Sequence, residues 1–204
     1  IPSHTYNKCK KYNITSISDM AFSGLSLETL VFSDDSHIEK IGNSSFENNH
    51  IQKLSFPASL KNLDSNCFLR SELLSTVKFK SKELHIGYNC FSNCSSLQAI
   101  TFENAKKIIL NIQSFKDCSN LKEILINDKS KSNTDKKFIA RDVDEIIVLK
   151  ECLMNCPLIK TVLFTNVKKV SLNSQAFGGC SNLHSIIIKG SKDIKKCQLF
   201  SLPK

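Results

Sequence analysis

The residues of this 204-residue chain that could do chemistry are nine cysteines and five histidines. Cys90 with Cys94, and Cys152 with Cys156, have a C-x3-C spacing, which zinc ligand pairs also use. In each pair, however, one cysteine precedes a bulky residue and the other follows it, and no pair of histidines completes a site. The histidines share no spacing that would set a general base beside a thiol nucleophile. We therefore expect no metal, no cofactor and no enzymatic activity.

Seven of the cysteines fall into two columns set by a recurring bulky residue. One column is the position three residues after the bulky residue. The other is the position immediately before it, which holds Ala or Ser in the remaining units. The columns contain Cys94, Cys118, Cys156 and Cys180, and Cys67, Cys90 and Cys152. A column of Cys, Ala and Ser is typical of a tight buried place, where a thiol behaves as a small apolar group. Buried free thiols are the favoured interpretation.

Disulfides are an alternative, because thiols stacked in successive units, such as Cys94 and Cys118, could come close together. Side chains in a parallel ladder point the same way, so such a bridge would be strained. Cys9 and Cys197 stand outside the columns near the two ends of the chain. They are too far apart to reach each other, so each could pair only locally or with another chain.

The bulky residue recurs with a nearly constant period. Its copies are Phe22, Phe46, Phe68, Phe91, Phe115, Leu153 and Phe177. The successive gaps are 24, 22, 23, 24, 38 and 24 residues, so one gap is too long by 38 − 24 = 14 residues. Self-similarity at this period is the signature of a solenoid.

Each unit contains two apolar patterns that predict strands. Its second half reads L-x-x-I-x-F or close to it, as at Leu97, Ile100 and Phe102, and its first half carries a shorter alternation such as Leu84 and Ile86. A unit with one apolar side cannot bury it alone, so units must stack and pair their strands in parallel. The sequence predicts a right-handed repeat solenoid with parallel β-strands on both sides, little helix and phenylalanines in the core.

The repeats divide the chain into three parts. Residues 14–189 form seven repeats of about 22–24 residues, residues 1–13 are an N-terminal cover and residues 190–204 a C-terminal cover. The long gap places an insertion near residues 127–145. Its first half is charged and almost without large apolar residues, which favours a solvated bulge over the alternative of a functional loop. Phe138 and Ile139 restore an apolar character, so part of the insertion could fold back.

The pattern I-x-x-x-A-F-x-x-C-x-x-L-x-x-I-x-[IF] resembles the BspA-like leucine-rich repeat. It is clearest in SQAFGGCSNLHSIII (174–188), YNCFSNCSSLQAITF (88–102) and IQSFKDCSNLKEILI (112–126). The resemblance covers seven units and implies a leucine-rich-repeat solenoid with strands on both sides. It also implies a surface protein that adheres to host cells or matrix. The departures are the absence of the column cysteine from the first three units, Leu153 in place of phenylalanine, and Pro157 in place of the usual serine.

Charge and composition narrow the class of partner. The formal net charge is +9, but the lysines are scattered and there are only two arginines, so we expect no nucleic acid. No apolar run approaches the roughly 18 residues that span a bilayer, so membrane contact would need segments outside this chain. We expect a monomer that binds a protein or extracellular-matrix ligand. The expected location is the cell surface or secretion, and the alternative is a cytoplasmic scaffold or regulatory subunit.

The candidate contact surface is the outward face of the L-x-x-I-x-F strand. The residue between its last two apolar positions points outward, and in the last three units this residue is apolar. Cationic residues or histidine occupy the position three before it in the same units. The predicted partner-binding residues are Leu125, Leu163 and Ile187, with Lys122, Lys160 and His184. An outward apolar patch beside cations is typical of a protein contact, and the alternative is that loops or the C-terminal cover shield the three apolar residues.

Overall fold

The computed structural model describes residues 1–7, 10–128, 136–191 and 193–195. Their regular secondary structure is entirely β, and no helix occurs among them. The strands are β1 (His4–Asn7), β2 (Lys10–Asn13), β3 (Ser16–Ile17), β4 (Lys40–Ile41), β5 (Lys53–Phe56), β6 (Asn62–Leu63), β7 (Thr76–Phe79), β8 (Glu83–Ile86), β9 (Ala99–Phe102), β10 (Lys107–Leu110), β11 (Glu123–Ile126), β12 (Lys137–Arg141), β13 (Glu145–Val148), β14 (Thr161–Thr165), β15 (Lys169–Leu172), β16 (Ser185–Lys189) and β17 (Asp193–Lys195).

The strands form two parallel sheets on opposite sides of a solenoid, as the sequence predicts. In the described residues, sheet 1 has the order β17-β15-β13-β10-β8-β6-β4-β3 and sheet 2 has the order β16-β14-β12-β11-β9-β7-β5. Chain neighbours mostly lie in different sheets, so each coil contributes one strand to each side. The alternating burial of β9, with Ile100 and Phe102 buried, shows which side chains face the interior. The predicted repeat solenoid is confirmed.

Phenylalanines form two ladders inside the coil. The first runs through Phe22, Phe46, Phe68, Phe91 and Phe115, with ring centroids 5.1–5.4 Å apart and planes within 10° of parallel. The second runs through Phe32, Phe56, Phe79 and Phe102, with centroids 4.9–5.7 Å apart. Rings of the two ladders meet edge to face, as in the contact of Phe56 with Phe68 at 5.8 Å. Offset stacks and edge-to-face pairs are the arrangements that aromatic quadrupoles favour.

For the first coils one expectation is wrong, and another is met only by very short strands. The L-x-x-I-x-F copy at residues 27–32 forms no strand, although Phe32 is buried. On the other side, β4 and β6 have only two residues each. Their apolar pairs, such as Leu60 and Leu63, are three residues apart rather than two. Residues three apart cannot share a face of a strand, so only the second member of each pair lies in the ladder.

The second half of the predicted insertion is an ordered strand rather than a bulge. β12 lies between β11 and β14 in sheet 2, with Phe138 opposite Ile124 and Val162. Sheet 1 has no matching extra strand, because β13 pairs directly with β10. Two consecutive strands, β11 and β12, therefore belong to sheet 2 before the chain returns to sheet 1 at β13. Residues 129–135 lie outside the described part of the chain.

Several side chains accommodate this extra strand. Asn127 Oδ1 accepts a hydrogen bond from the Ala105 N–H at 2.8 Å. Asn127 Nδ2 donates to the carbonyls of Ala105 and Arg141 at 2.8 and 3.1 Å. It thereby bridges the turns on either side of the insertion. The Phe138 ring lies 5.2 Å from that of Phe164. It also lies 6.4 Å from the ring of Phe177, which is one coil after the position where Leu153 replaces phenylalanine.

The ends of the chain differ from each other. β1 and β2 form an antiparallel hairpin, and the Ile14 N–H donates to the Ser3 carbonyl at 2.8 Å. At the other end β17 pairs with β15, so sheet 1 continues into the segment predicted as a C-terminal cover. Cys9, Cys197 and most of that segment lie outside the described residues. The division into covers and repeats therefore stays a prediction.

Candidate functional site

The cysteines three residues after the bulky position share one hydrogen bond. Each thiol donates to the backbone carbonyl of the bulky residue one coil earlier, and the Sγ···O distances are 3.1–3.2 Å. The pairs are Cys94 with Phe68, Cys118 with Phe91, Cys156 with Phe115, and Cys180 with Leu153. Two of these carbonyls also accept a backbone N–H, that of Phe68 from Ser71 at 3.2 Å and that of Phe91 from Cys94 at 3.4 Å, so the thiol is an added donor to a buried acceptor that has two lone pairs.

In the second and third coils, other hydrogen-bond donors take the place of the column cysteine. Ser71 Oγ donates to the Phe46 carbonyl at 3.3 Å, and Asn49 Nδ2 donates to the Phe22 carbonyl at 3.0 Å. Serine and asparagine therefore perform the same task as the thiols. Leu25 occupies the column in the first coil and is exposed. The pattern is a column of donors that cysteine fills in the later coils.

The second cysteine column also uses local hydrogen bonds. Cys67 Sγ lies 3.1 Å from the carbonyl oxygens of both Gly42 and Asp64. Ser114 Oγ and Cys152 Sγ are 3.2 Å apart. All seven described cysteines are free and buried, which confirms the preferred interpretation for these residues.

Burial makes these thiols poor nucleophiles. Loss of solvation raises the pKa of Cys94 and of Cys152 to about 12, and that of Cys180 to about 11. The pKa of Cys118 and of Cys156 is also well above the ordinary value, chiefly because of burial. A thiol with such a pKa stays protonated at neutral pH, and the thiolate is the reactive and metal-binding form. Among the described residues, no group of three or more His, Cys, Asp or Glu is placed to hold a metal ion.

The outward face of sheet 2 carries a row of apolar side chains in four adjacent strands. Leu125 of β11 is paired with Ile139 of β12, Ile139 with Leu163 of β14, and Leu163 with Ile187 of β16. We call these four residues the apolar row. The structure thus aligns the three predicted residues, but Leu125 and Leu163 are not neighbours as the sequence suggested. Ile139 lies between them and is only 5% exposed, while the other three are half-buried.

A row of cations follows the same strands at their beginning. Lys122, Lys136, Lys160 and His184 occupy equivalent positions immediately before β11, β12, β14 and β16, and we call the three lysines the cationic row. The Lys160 N–H donates to the Lys136 carbonyl at 2.9 Å, and the His184 N–H donates to the Lys160 carbonyl at 3.1 Å. None of the three lysines makes an ion pair within the described part of the chain. Their charge is therefore available to a partner.

The outward face of sheet 1 has a different charge pattern. Acidic and basic residues alternate across five adjacent strands as Glu83, Lys107, Glu145, Lys169 and Asp193. Lys107 Nζ lies 2.9 Å from Glu145 Oε2, and Lys169 binds the other oxygen of the same carboxylate. Hydrogen bonds from Lys169 and Lys107 lower the pKa of Glu145. This face neutralises its own charge, whereas the cationic row of sheet 2 does not.

Sequence reasoning missed two residues of the candidate site, Ile139 and Lys136. Both lie in the predicted insertion, which was read as a departure from the repeat. The signal was present, because KKFIA at 136–140 has the same order of lysine and apolar residues as the start of other strands in sheet 2. Aligning that segment with residues 160–164 places Lys136 on Lys160 and Ile139 on Leu163.

The fold and the donor column define a class of protein, the leucine-rich-repeat solenoids with parallel strands on both sides. The chain belongs to the BspA type leucine rich repeat family. The model of this repeat region matches in six copies, over residues 3–122, 39–152 and 109–201. These overlapping segments span nearly the whole sequence and confirm the predicted resemblance.

Solved structures match this chain at low sequence identity. The pneumococcal vaccine antigen PcpA matches with a TM-score of 0.53 and 15% identity, over 98% of this chain and 78% of that chain. A leucine-rich repeat protein from Bacteroides ovatus matches with a TM-score of 0.43 and 16% identity, over 95% and 70%. A leucine rich cell surface protein from Faecalibacterium prausnitzii matches with a TM-score of 0.38 and 15% identity, over 93% and 68%. A search of curated proteins found no match.

Proposed function

We propose that this chain is a non-catalytic protein-binding module that contacts its partner through the outward face of sheet 2. The observation that carries the proposal is the apolar row of four adjacent strands beside an unpaired cationic row. An apolar strip next to uncompensated charge combines the burial that drives association with the charge that orients it. The partner is a protein or an extracellular-matrix component with an acidic border, and the chain acts as a monomer.

Adhesion at the cell surface is the form of this function that the comparisons support. The family is the BspA type, and one structural relative carries the description of a leucine rich cell surface protein. None of the described residues forms a helix with the length and apolarity needed to cross a membrane.

A cytoplasmic scaffold is the second candidate, and the free thiols favour it. All seven described cysteines are unpaired, as is usual in a reducing compartment. A thiol titration of denatured protein, purified from its native source without reductant, separates the two candidates. Nine titrated thiols support the cytoplasmic scaffold. Fewer than nine, with the missing thiols recovered after reduction, support export.

Replacing Leu163 by Asp tests the contact surface. The carboxylate would lie in the middle of the apolar row, so binding to a panel of purified extracellular-matrix proteins is expected to fall at least tenfold in surface plasmon resonance. Ile147→Asp is the matched control, because Ile147 is a half-buried apolar residue on the outward face of sheet 1. A folded Leu163→Asp variant that binds like the unmodified chain would exclude this surface.

A further inference from the structure

A continuous polar column runs along the solenoid where the strands of sheet 2 begin. It consists of the residue immediately before each of these strands, and we call it the polar column. Its members are Gln52, Ser75, Gln98, Lys122, Lys136, Lys160 and His184. Backbone hydrogen bonds join neighbouring members, as where the Gln98 N–H donates to the Ser75 carbonyl at 2.8 Å. The seven positions therefore lie about one strand spacing of 4.8 Å apart and span about 29 Å.

The side chains of the polar column are accessible to a ligand. The two glutamines and His184 are exposed, as is Lys160 of the cationic row, and the other three members are half-buried. Within the described part of the chain, the side-chain amides of Gln52 and Gln98 make no hydrogen bond. The column contains neither an acidic nor an apolar residue, so it is a line of free amides followed by a line of free cations.

The two sides of the solenoid differ in how far their lysines are neutralised. On the side of sheet 1, lysines pair with acids at N···O distances of 2.7–2.9 Å. These pairs are Lys40 with Asp64, Lys107 with Glu145, and Lys168 with Asp144. The cationic row makes no ion pair among the described residues. The first residues of the same strands add one acidic group, Glu123, against Lys53 and Lys137. Net positive charge therefore remains along the beginning of sheet 2.

The residue types of the column select the chemistry of its ligand. A line of closely spaced cations attracts a chain that carries closely spaced anions. Amide groups can both donate to and accept from the hydroxyl groups of a sugar. The column has no aromatic residue on which a nucleic-acid base could stack, no arginine, and no apolar residue that could anchor an amphipathic peptide. A sulfated polysaccharide, which carries anions and hydroxyl groups along an extended chain, fits these features.

We propose that the polar column binds one extended chain of a sulfated polysaccharide, which lies along the solenoid axis. Its sulfate groups contact the Nζ atoms of Lys122, Lys136 and Lys160, and its hydroxyl groups bond to the amides of Gln52 and Gln98. This inference rests on the proposed function, because it uses the cationic row and gives the extracellular-matrix partner a chemical class. The apolar row lies three residues further along each strand, about 10 Å away, so a protein can contact it at the same time.

Titration of a heparin fragment of defined length into the full chain, followed by calorimetry, tests the proposal. We expect binding at a salt concentration of about 0.15 M, and replacing all three lysines of the cationic row by glutamine should weaken it at least tenfold and make it less dependent on salt. The matched control replaces Lys40, Lys107 and Lys168 by glutamine, which removes the same charge from the side of sheet 1. It should bind nearly as the unmodified chain does. No binding of heparin, or an equal loss in the two triple variants, would overturn the proposal.

Other polyanions establish whether the ligand is a sulfated polysaccharide. Fully desulfated, N-acetylated heparin keeps the sugar chain and its carboxylates, and it should bind at least tenfold more weakly than heparin. Polyglutamate and single-stranded DNA of similar length should also bind more weakly. Equal binding of any of the three would assign the column to another class of ligand and overturn the proposal. Leu163→Gln removes an apolar side chain without adding charge, so it should weaken the protein contact and leave heparin binding unchanged. Failure of this inference is therefore distinct from failure of the apolar row as a contact surface.

Discussion

At the scale of single residues, the cysteines of this protein act as structural hydrogen-bond donors. The sequence shows that cysteine recurs three residues after the bulky residue in four units, and it predicts the burial of these thiols correctly. It does not show the carbonyl of the preceding coil, because that partner lies 26–41 residues away along the chain. The substitutions Asn49 and Ser71 are understood only once their shared hydrogen bond is seen. The similar size of the residues in one column can be seen in the sequence, whereas their shared role as hydrogen-bond donors can be seen only in the structure.

Replacing Cys118 separates the role of the donor from that of the volume. Cys118→Ala removes the S–H that bonds to the Phe91 carbonyl, which then keeps only the Cys94 N–H at 3.4 Å, and this loss should lower the unfolding free energy by about 0.5–1.5 kcal/mol. Cys118→Ser keeps a donor, as Ser71 does naturally, and should cost less. Urea unfolding followed by circular dichroism measures both values. A serine variant at least as unstable as the alanine variant would show that volume alone matters here.

The buried thiols also predict loss of stability at alkaline pH. Burial raises the pKa of Cys94 to about 12 from an ordinary value of 9.0. Below pH 9 the thiol is protonated in both states and its contribution to stability is complete. Between pH 9 and pH 12 only the unfolded state ionises, so that contribution is lost at about 1.4 kcal/mol per pH unit per thiol. Cys94→Ser should show a shallower decline of unfolding free energy than the unmodified chain over this range. Identical slopes would contradict the assignment.

At the scale of the elements, the regular coils are predictable from sequence and the exceptions are not. The alternation of buried residues in β8 and β10 follows from local pattern alone. The strand status of residues 27–32 and of β12 depends instead on pairing with neighbours. Residues 27–32 have the full pattern without a paired strand, whereas β12 is paired on both sides although it lies in a charged insertion. A local pattern cannot reveal which neighbour a strand meets.

In each coil, the turns around the first phenylalanine ladder contain two residues with a left-handed backbone conformation. One lies two residues before the bulky residue, and the other lies two residues after it. The later position is mostly Asn, Asp or Gly, at Gly24, Asn48, Asn93, Asp117, Asn155 and Gly179. Arg70 is the exception, with φ of 58°. Side chains other than Gly, Asn and Asp adopt this conformation at a cost of about 1–2 kcal/mol. The exposed Arg70 side chain therefore occupies an unfavourable backbone position.

Arg70→Asn is expected to stabilise the protein. Asparagine tolerates the left-handed conformation better, and the unfolding free energy should rise by about 0.5–1 kcal/mol. Asn93→Arg, the reverse change at the equivalent position of the next coil, should lower it by a similar amount. Thermal melts of the two variants at equal concentration provide the measurement. Opposite signs support the backbone explanation, and a loss of stability in both would refute it.

At the scale of the whole molecule, β12 makes the solenoid asymmetric. Between the fifth and sixth coils sheet 2 advances by two strand spacings, from β11 through β12 to β14, while sheet 1 advances by one, from β10 to β13. One spacing is about 4.8 Å, and the sheets pack about 10 Å apart, so the extra strand acts as a wedge. We expect this wedge to curve the solenoid at this point, and the apolar row crosses the extra strand at Ile139. The insertion therefore shapes the same surface that we propose as the contact site.

Removing residues 127–140 tests how the wedge is accommodated. The deletion is 14 residues long, so it restores a 24-residue period and places Arg141 directly after Ile126, as Glu103 follows Phe102. It also removes Phe138, whose ring contacts those of Phe164 and Phe177 at centroid distances of 5.2 and 6.4 Å. Leu153 would then leave a gap in the first phenylalanine ladder. The deleted chain should fold, with an unfolding free energy lower than that of the full chain.

Leu153→Phe should have opposite effects in the two backgrounds. In the deleted chain the new ring fills the gap between Phe115 and Phe177, and the unfolding free energy should rise by about 1 kcal/mol or more. In the full chain Phe138 already occupies that region, so the added bulk should overpack the core and lower the unfolding free energy by about 1–3 kcal/mol. Urea unfolding of the four chains completes the double-mutant cycle. An effect of the same sign in both backgrounds would show that Phe138 does not compensate for the leucine, and that the extra strand is accommodated elsewhere in the coil.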